Sequence, residues 1–165
     1  MLSNIKKSDN KGFTIIEVMI VLAIAGLIIL IVFLAVPALQ RNARNTARRT
    51  DAGRIASSVN NFVTNNNGKL PTVTVGGGST TDAASILTDA GTLGQYTLSA
   101  GTAVAPNTFT ITTGTQAALT TADAVQLVEG ATCSGAGTTT GSAKQMALEY
   151  TLEGGGGTIG ACENI

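Results

Sequence analysis

Histidine and tryptophan are absent from this chain of 165 residues, and aromatic residues make up only 4% of it. The lack of histidine excludes Ser-His-Asp and Cys-His nucleophile systems and removes the commonest metal ligand. We therefore predict no catalytic site, no metal site and no cofactor. The scarcity of aromatic residues indicates a light core built from Val, Ile, Leu and Ala.

Cysteine is nearly absent too, since Cys133 and Cys162 are the only two. Their spacing fits neither a Cys-x-x-Cys redox motif nor a four-ligand zinc site. A disulfide is the economical interpretation and would place this part of the chain in an oxidising compartment; free thiols are the alternative. A bridge would close a loop of about 30 residues, for which the chain-entropy model gives roughly 3–4 kcal/mol.

Charged residues are few, at 12%, and their signs are unevenly distributed. Residues 1–12 carry three Lys against one Asp, and residues 13–54 carry five Arg against Glu17 and Asp51. Residues 55–165 carry two Lys against seven acids. The pattern predicts a basic leader, a basic collar after the apolar segment and an acidic head.

An uncharged, strongly apolar stretch runs from Val18 to Leu39. Crossing a bilayer core takes about 20 apolar residues of helix, so this stretch is long enough to span a membrane. A buried helix of a soluble domain is the alternative, although such a helix seldom runs this far without a polar face. Lys6, Lys7 and Lys11 precede the stretch, but the Ala-x-Ala site expected after the apolar region of an ordinary secretory signal is missing.

The junction between leader and apolar stretch carries a specific motif. It reads Lys11-Gly12-Phe13-Thr14-Ile15-Ile16-Glu17, and it resembles the N-terminal signature of type IV pilins and related pseudopilins, the class III signal of the prepilin peptidase. The resemblance is close over residues 11–26, loose over 27–68 and slight beyond. It implies cleavage between Gly12 and Phe13, N-methylation of Phe13, and retention of the whole apolar stretch in the mature protein.

Glu17 is the candidate assembly residue. An ionised carboxylate at mid-bilayer costs about 2.5–3.5 kcal/mol on insertion scales and less near the interface, so Glu17 requires a partner. Residues four apart share a helix face, which allows a pair with the new α-amine of Phe13 in the same chain. The resemblance implies instead the N-terminus of a neighbouring subunit, and an interfacial glutamate without a role is the remaining alternative.

Gly26 and Pro37 interrupt the apolar helix. Gly lowers helix stability by about 1 kcal/mol relative to Ala, and an interior Pro removes a backbone hydrogen bond. A simple kink is one expectation. The resemblance implies the other, which is a loss of helical order over Leu27–Val36 in assembled filaments.

An amphipathic pattern continues the helix, and Asn65 to Gly68 supply a stop, so we predict one helix from about Thr14 to Asn66. The apolar positions near one face are Leu39, Ala43, Ala47, Ile55, Val59, Phe62 and Val63. The Arg residues at 41–49 are predicted to form a solvated or subunit-facing surface. Anionic headgroups and nucleic acid are the alternative partners of that surface.

The remainder predicts a small sheet after a linking region at 72–90, which holds a short helix over 81–89. Strands are predicted over four ranges: 95–99, 108–112, 124–128 and 146–152. Gly- and Thr-rich segments at 134–142 and 154–157 are predicted connections. The fold class is therefore α+β, with a long N-terminal helix packed on a small antiparallel sheet. Apolar residues of the 146–152 strand would face the helix, and its Thr and Glu residues would face out.

Three segments are expected: a leader at 1–12, a helix at 13–68 and a head at 69–165 that contains the disulfide loop. Within the helix, residues 13–39 would span the membrane or filament core, and residues 40–68 would pack on the head.

The resemblance implies a structural subunit and not an enzyme. Copies would form a helical homo-oligomeric filament serving adhesion, twitching motility or DNA uptake. The prepilin peptidase, an assembly ATPase, an inner-membrane platform and, before assembly, membrane lipid are the implied partners. The chain would span the inner membrane once with its C-terminus outside and then become part of an extracellular pilus, although the Lys and Arg count around the span favours the opposite orientation.

Other functions stay open. The chain could be a pseudopilin of a type II secretion system, a minor or tip subunit of a pilus, or a membrane-anchored receptor. Major pseudopilins usually have a calcium site in place of the disulfide loop. No dense Asp/Asn run of calcium-binding type occurs near this C-terminus, which favours the pilin.

Overall fold

The computed structural model describes residues 12–71, 73–74, 77–78 and 80–165. Apart from Gly12, the predicted leader lies outside the described residues, as do four positions of the predicted linking region. The chain divides into two compact units, Met1–Gln40 and Arg41–Ile165. Each unit is described by itself below.

Helix α1 spans Ile15–Asn65 and includes Pro37 in its interior. The predicted helix is thus confirmed to within one residue at each end. Asn67 and Gly68 follow with φ of 56° and 80°, and the Gly68 N–H donates to the Val63 carbonyl at 2.8 Å. This left-handed turn satisfies a terminal carbonyl and ends the helix. Residues 27–36 are helical in this chain, so their loss of order on assembly stays a prediction.

The head contains one further helix and nine strands among the residues that the structure describes. They are β1 Val73–Thr74, β2 Gly77–Gly78, α2 Thr80–Ala90, β3 Ser99–Ala100, β4 Thr108–Thr113, β5 Val125–Glu129, β6 Ala131–Ser134, β7 Gly137–Thr140, β8 Met146–Glu153 and β9 Thr158–Asn164. The short helix and the three longer strands were predicted within a few residues. The predicted strand at 95–99 overlaps β3 only at Ser99. Strands β1, β2, β6, β7 and β9 were missed; β1 and β2 lie in the predicted linking region, and β7 lies in the predicted connection at 134–142.

The main sheet has the strand order β3-β4-β5-β8-β9, and β1–β2 and β6–β7 form separate hairpins. The β5–β8 and β8–β9 pairs are antiparallel, the arrangement predicted for the sheet as a whole, whereas β3–β4 and β4–β5 are parallel. The α+β architecture is confirmed, and its sheet is mixed. The parallel pairing of β4 and β5 arises because residues 114–124 carry the chain back along the sheet before β5 begins. Parallel neighbouring strands require such a crossover.

One face of the sheet packs on α2 and on the second half of α1. Fully buried residues from all three layers meet there, among them Ile55, Ile86, Phe109, Leu127 and Leu148. The predicted core position Ile55 is therefore confirmed, as is Val59. Leu39 and Ala43 are exposed instead, because the buried residues of α1 begin only at Arg48.

The other face of the sheet is covered as well. Residues 115–119 and the β6–β7 hairpin lie over it, and Gln116 exchanges backbone and side-chain hydrogen bonds with Thr138 at 2.9 and 3.0 Å. Glu149 and Thr151 of β8 are consequently fully buried. The expectation that these side chains face solvent is wrong, since a strand covered on both sides has no outer face.

Candidate functional site

The apolar half of α1 leaves its side chains exposed within its own unit. Phe13 is 88% exposed, Ile15 81% and Phe33 75%. Within the described part of the chain, α1 is the one helix long and apolar enough to cross a membrane, with a mean hydropathy of 3.3 in its most apolar window and none of that window buried. An apolar surface of this extent marks a binding surface for lipid or protein.

The predicted processing residues precede the helix. Gly12 and Phe13 are exposed and lie outside regular secondary structure, so the backbone between them is open to a protease. Further along, Phe13, Glu17, Val18, Val21 and Leu22 line one groove on α1. Phe13, which follows the candidate cleavage site, and the candidate assembly residue Glu17 thus border the same groove.

Glu17 closes the first turn of α1 through a reciprocal pair of contacts with Thr14. The Thr14 N–H and hydroxyl donate to Oε2 of Glu17 at 2.9 and 2.6 Å, and the Glu17 N–H faces the Thr14 hydroxyl at 3.4 Å. This is a capping box, which satisfies amide groups that a helix start leaves unpaired. The sequence Thr14-Ile15-Ile16-Glu17 carries the signature of this motif, and our sequence analysis missed it. A pair between Glu17 and the Phe13 amine stays a prediction, because that amine arises only on cleavage.

Gly26 and Pro37 both lie inside α1. A Cβ atom added at Gly26 would meet nothing within 4 Å. Packing among the described residues therefore does not require glycine there, and a requirement for it would come from the membrane or from neighbouring subunits.

The Arg residues that follow the apolar segment are partly engaged by the head. Arg44 binds both carboxylate oxygens of Glu153 at 2.7–2.9 Å, and its hydrogen bonds lower the pKa of Glu153. Arg48 lies 2.5 Å from Oδ1 of Asp123, donates to the Thr151 carbonyl at 3.2 Å and stands 5.3 Å above the Tyr96 ring. The expectation of a solvated or subunit-facing Arg48 is wrong, because these contacts bury it to 8% exposure.

Cys133 and Cys162 form a disulfide between β6 and β9, with their Cα atoms 5.6 Å apart. The predicted bond is therefore present, and it attaches the β6–β7 hairpin to the edge strand of the main sheet. The Cys133 N–H also donates to Oδ1 of Asn164 at 2.8 Å, so the hairpin is held at one point by two kinds of bond.

The sequence analysis missed two carboxyl groups whose pKa is raised, the fully buried Glu149 and the half-buried Glu129. Burial raises the pKa of Glu149 to about 7. Burial, and then repulsion by Asp82, raise the pKa of Glu129 to about 7. Among the described residues, no three His, Cys, Asp or Glu side chains are grouped so that they could hold a metal ion.

Comparison with known proteins identifies the N-terminal region. A family model described as the prokaryotic N-terminal methylation motif matches residues 7–33, and this motif is the class III signal of type IV pilins. The resemblance stated from Gly12, Phe13 and Glu17 is therefore confirmed for this region. Comparisons with curated proteins and with solved structures found no match.

The methylation motif and the α+β architecture together support a type IV pilin-like or pseudopilin protein. The motif marks structural pilin-type subunits and not a family of enzymes. It implies processing by a prepilin peptidase and assembly into a pilus-like filament, and the apolar helix beside it supports membrane anchoring of the precursor.

Proposed function

We propose that this chain is a structural subunit of a type IV pilus. The observation that carries the proposal is the methylation motif at the head of a helix whose apolar side chains the chain itself leaves uncovered. The prepilin would wait in the inner membrane, with its C-terminus outside, and would enter a surface filament through a platform and an ATPase. The filament would serve adhesion, twitching motility or DNA uptake.

Lipid and filament are both apolar environments for this helix. Lipid tails are as apolar as leucine, so the hydrophobic effect does little to favour one environment over the other. Close packing between helices and polar contacts that exist only in the filament therefore set the preference. Glu17 supplies such a polar contact. Its charge is costly in lipid, whereas in the filament the Phe13 amine of a neighbouring copy would neutralise it.

The alternative is a pseudopilin of a type II secretion system, or a minor or tip pilin. The disulfide between Cys133 and Cys162 supports the pilin, since major pseudopilins usually have a calcium site in its place. If the chain is the pilin, shearing the cell surface should release filaments made mainly of this chain. A short periplasmic fibre, with loss of protein secretion on deletion of the gene, would favour the pseudopilin instead.

The first experiment is the intact mass of protein sheared from the cell surface, with and without reduction. We expect a chain that begins at methylated Phe13 and that gains two hydrogens on reduction. A chain that begins at Met1 and stays in the membrane would contradict the proposal.

The second experiment separates the charge of Glu17 from its capping role. Glu17→Gln keeps an acceptor for Thr14 but removes the charge, whereas Glu17→Ala removes both. We expect both variants to reach the membrane and to assemble poorly, while Thr14→Ala, the control that weakens only the cap by about 1 kcal/mol, assembles better than either. Normal filaments from Glu17→Gln would reduce the role of Glu17 to helix capping.

A further inference from the structure

Glu149 lies in the middle of β8 and is fully buried, yet neither of its carboxyl oxygens has a hydrogen-bond partner. Leu148 and Tyr150, on either side of it, face the main core. Glu149 therefore points to the opposite face of the sheet. In the register of the sheet it lies between Gln126 of β5 and Cys162 of β9.

The layer over this face consists of residues 115–119 and the β6–β7 hairpin, residues 131–140, which we call the cover. Its two parts are joined by the hydrogen bonds between Gln116 and Thr138. A Cβ atom on Gly137 would lie 2.8 Å from the Gln116 carbonyl oxygen, and one on Gly160 of β9 would lie 3.0 Å from the Leu119 carbonyl oxygen. Glycine at both positions therefore lets the backbone of 115–119 lie directly against β7 and β9.

The cover brings no charge to the carboxyl group. Residues 114–122 and 130–143 contain no Asp, Glu, Lys or Arg. On the strands, Gln126 is neutral and Cys162 is in the disulfide. The other carboxyl groups of these strands are not placed beside Glu149: Glu129 and Glu163 pair in register with core-facing Met146 and Leu148 and so belong to the opposite face of the sheet, and Glu153 binds Arg44.

An ionised carboxylate cannot stay in such a place without cost, because burying an unpaired charge is far more unfavourable than burying a protonated acid. Burial is the cause that raises the pKa of Glu149 to about 7. The arrangement in which the cover lies over Glu149 therefore requires the protonated acid. Ionisation of Glu149 favours any movement of the cover that lets water reach the carboxyl group.

We propose that the cover is a proton-dependent device, which closes over protonated Glu149 and opens when that carboxyl group ionises, with the Cys133–Cys162 disulfide as the bond that keeps the opened hairpin attached to β9. The disulfide is placed for this role, because Cys162 pairs directly with Glu149 in the register. The proton and the disulfide thus act on the same element of the head.

Amide hydrogen exchange tests the proposal on the full-length processed chain in detergent, in wild type and in Glu149→Gln. After correction for intrinsic exchange rates, the protection of peptides covering 115–119 and 131–140 is compared at pH 5 and pH 8. With a pKa of about 7 when closed and 4.5 when open, the open fraction in wild type should rise roughly 70-fold over this interval. It should stay constant in Glu149→Gln, and peptides from the second half of α1 should not respond in either protein.

An equal change of protection in both proteins, or no change in wild type, would overturn the proposal. Reduction of the disulfide should lower the protection of the same peptides at both pH values, and an effect confined to other peptides would remove the disulfide from the device.

Direct titration of the glutamate carboxyl carbons by NMR provides a second test that does not depend on a folded Glu149 variant. It is performed in Glu129→Gln, which removes the other carboxyl group with a pKa of about 7. One remaining resonance should titrate near pH 7, and titration of all of them near 4.5 would overturn the proposal.

Discussion

Asp51 of α1 offers the sharpest test of how the helix holds the head. Its carboxylate is 2% exposed and accepts backbone hydrogen bonds from Gly94 and Gln95 at 2.9 and 2.7 Å, with the Tyr96 N–H at 3.3 Å. These residues lead the chain from α2 towards β3. The same turn places the Tyr96 hydroxyl group where it donates to the Thr151 carbonyl.

We expect Asp51→Ala to lower the free energy of unfolding by about 3–5 kcal/mol. The change removes hydrogen bonds that three backbone N–H groups make to a charged acceptor, at about 1.5–3 kcal/mol for each well-formed bond, and the removal of a buried charge offsets part of this cost. Asp51→Asn keeps one acceptor oxygen but turns an NH₂ group towards a backbone N–H. We therefore expect Asp51→Asn to lower the free energy of unfolding by about 2–3 kcal/mol, since one hydrogen bond is replaced by a contact between two donors.

Urea unfolding of the full chain in mild detergent measures these differences. Tyr96 and Tyr150 are the only tyrosines and both are buried in the head, so tyrosine fluorescence reports the unfolding of the head alone. Thr50→Ala is the matched control, because Thr50 is exposed and its hydroxyl group bonds only the Thr46 carbonyl within the helix. A loss below about 1 kcal/mol for Asp51→Ala would mean that water replaces the carboxylate and that Asp51 does not hold the segment at 94–96 in place.

Three further predictions use the same unfolding assay. Reduction of the Cys133–Cys162 bond, which spans 29 residues, should lower the free energy of unfolding by about 3–4 kcal/mol, and an unchanged urea midpoint would contradict this. The folded-state pKa of Glu129 is raised from 4.5 to about 7, so its contribution to stability is complete below pH 4.5 and is lost as pH rises through about 7; Glu129→Gln should flatten this decline. Arg44→Met should cost no more than about 1 kcal/mol and less in high salt, because the pair with Glu153 is largely at the surface.

The sequence predicted most reliably what depends on neighbouring residues. The long apolar run, the amphipathic continuation and the Asn-Gly stop define α1 to within one residue at each end. The alternation of apolar and polar residues identified β8, because successive side chains of a strand point to opposite faces of the sheet. Alternation does not show whether a second layer covers the outer face, and the burial of Glu149 was therefore missed.

Contacts between residues distant in sequence could not be predicted in this way. Arg48 and Asp123 are 75 residues apart, and no local pattern connects them. The parallel pairing of β4 and β5 depends on the path of the connection between them, which the strand sequences do not encode. The capping box is different, since Thr14 and Glu17 are three residues apart and their motif was present in the sequence.

The two units of the chain differ in what their side chains contact. We therefore expect residues of the first unit to affect filament assembly and residues of the second unit to affect the stability of the head. The first unit leaves its apolar residues uncovered, whereas the second holds buried polar groups such as Asp51 and Arg48 in hydrogen bonds, with Glu149 as an exception. Substitutions of Glu17 should therefore impair filament formation and leave the unfolding midpoint of the head unchanged. Asp51→Ala should lower that midpoint and leave cleavage after Gly12 unchanged. If a Glu17 variant also destabilised the head, the helix would be transmitting its state to the sheet, and the two functions could no longer be assigned to separate units.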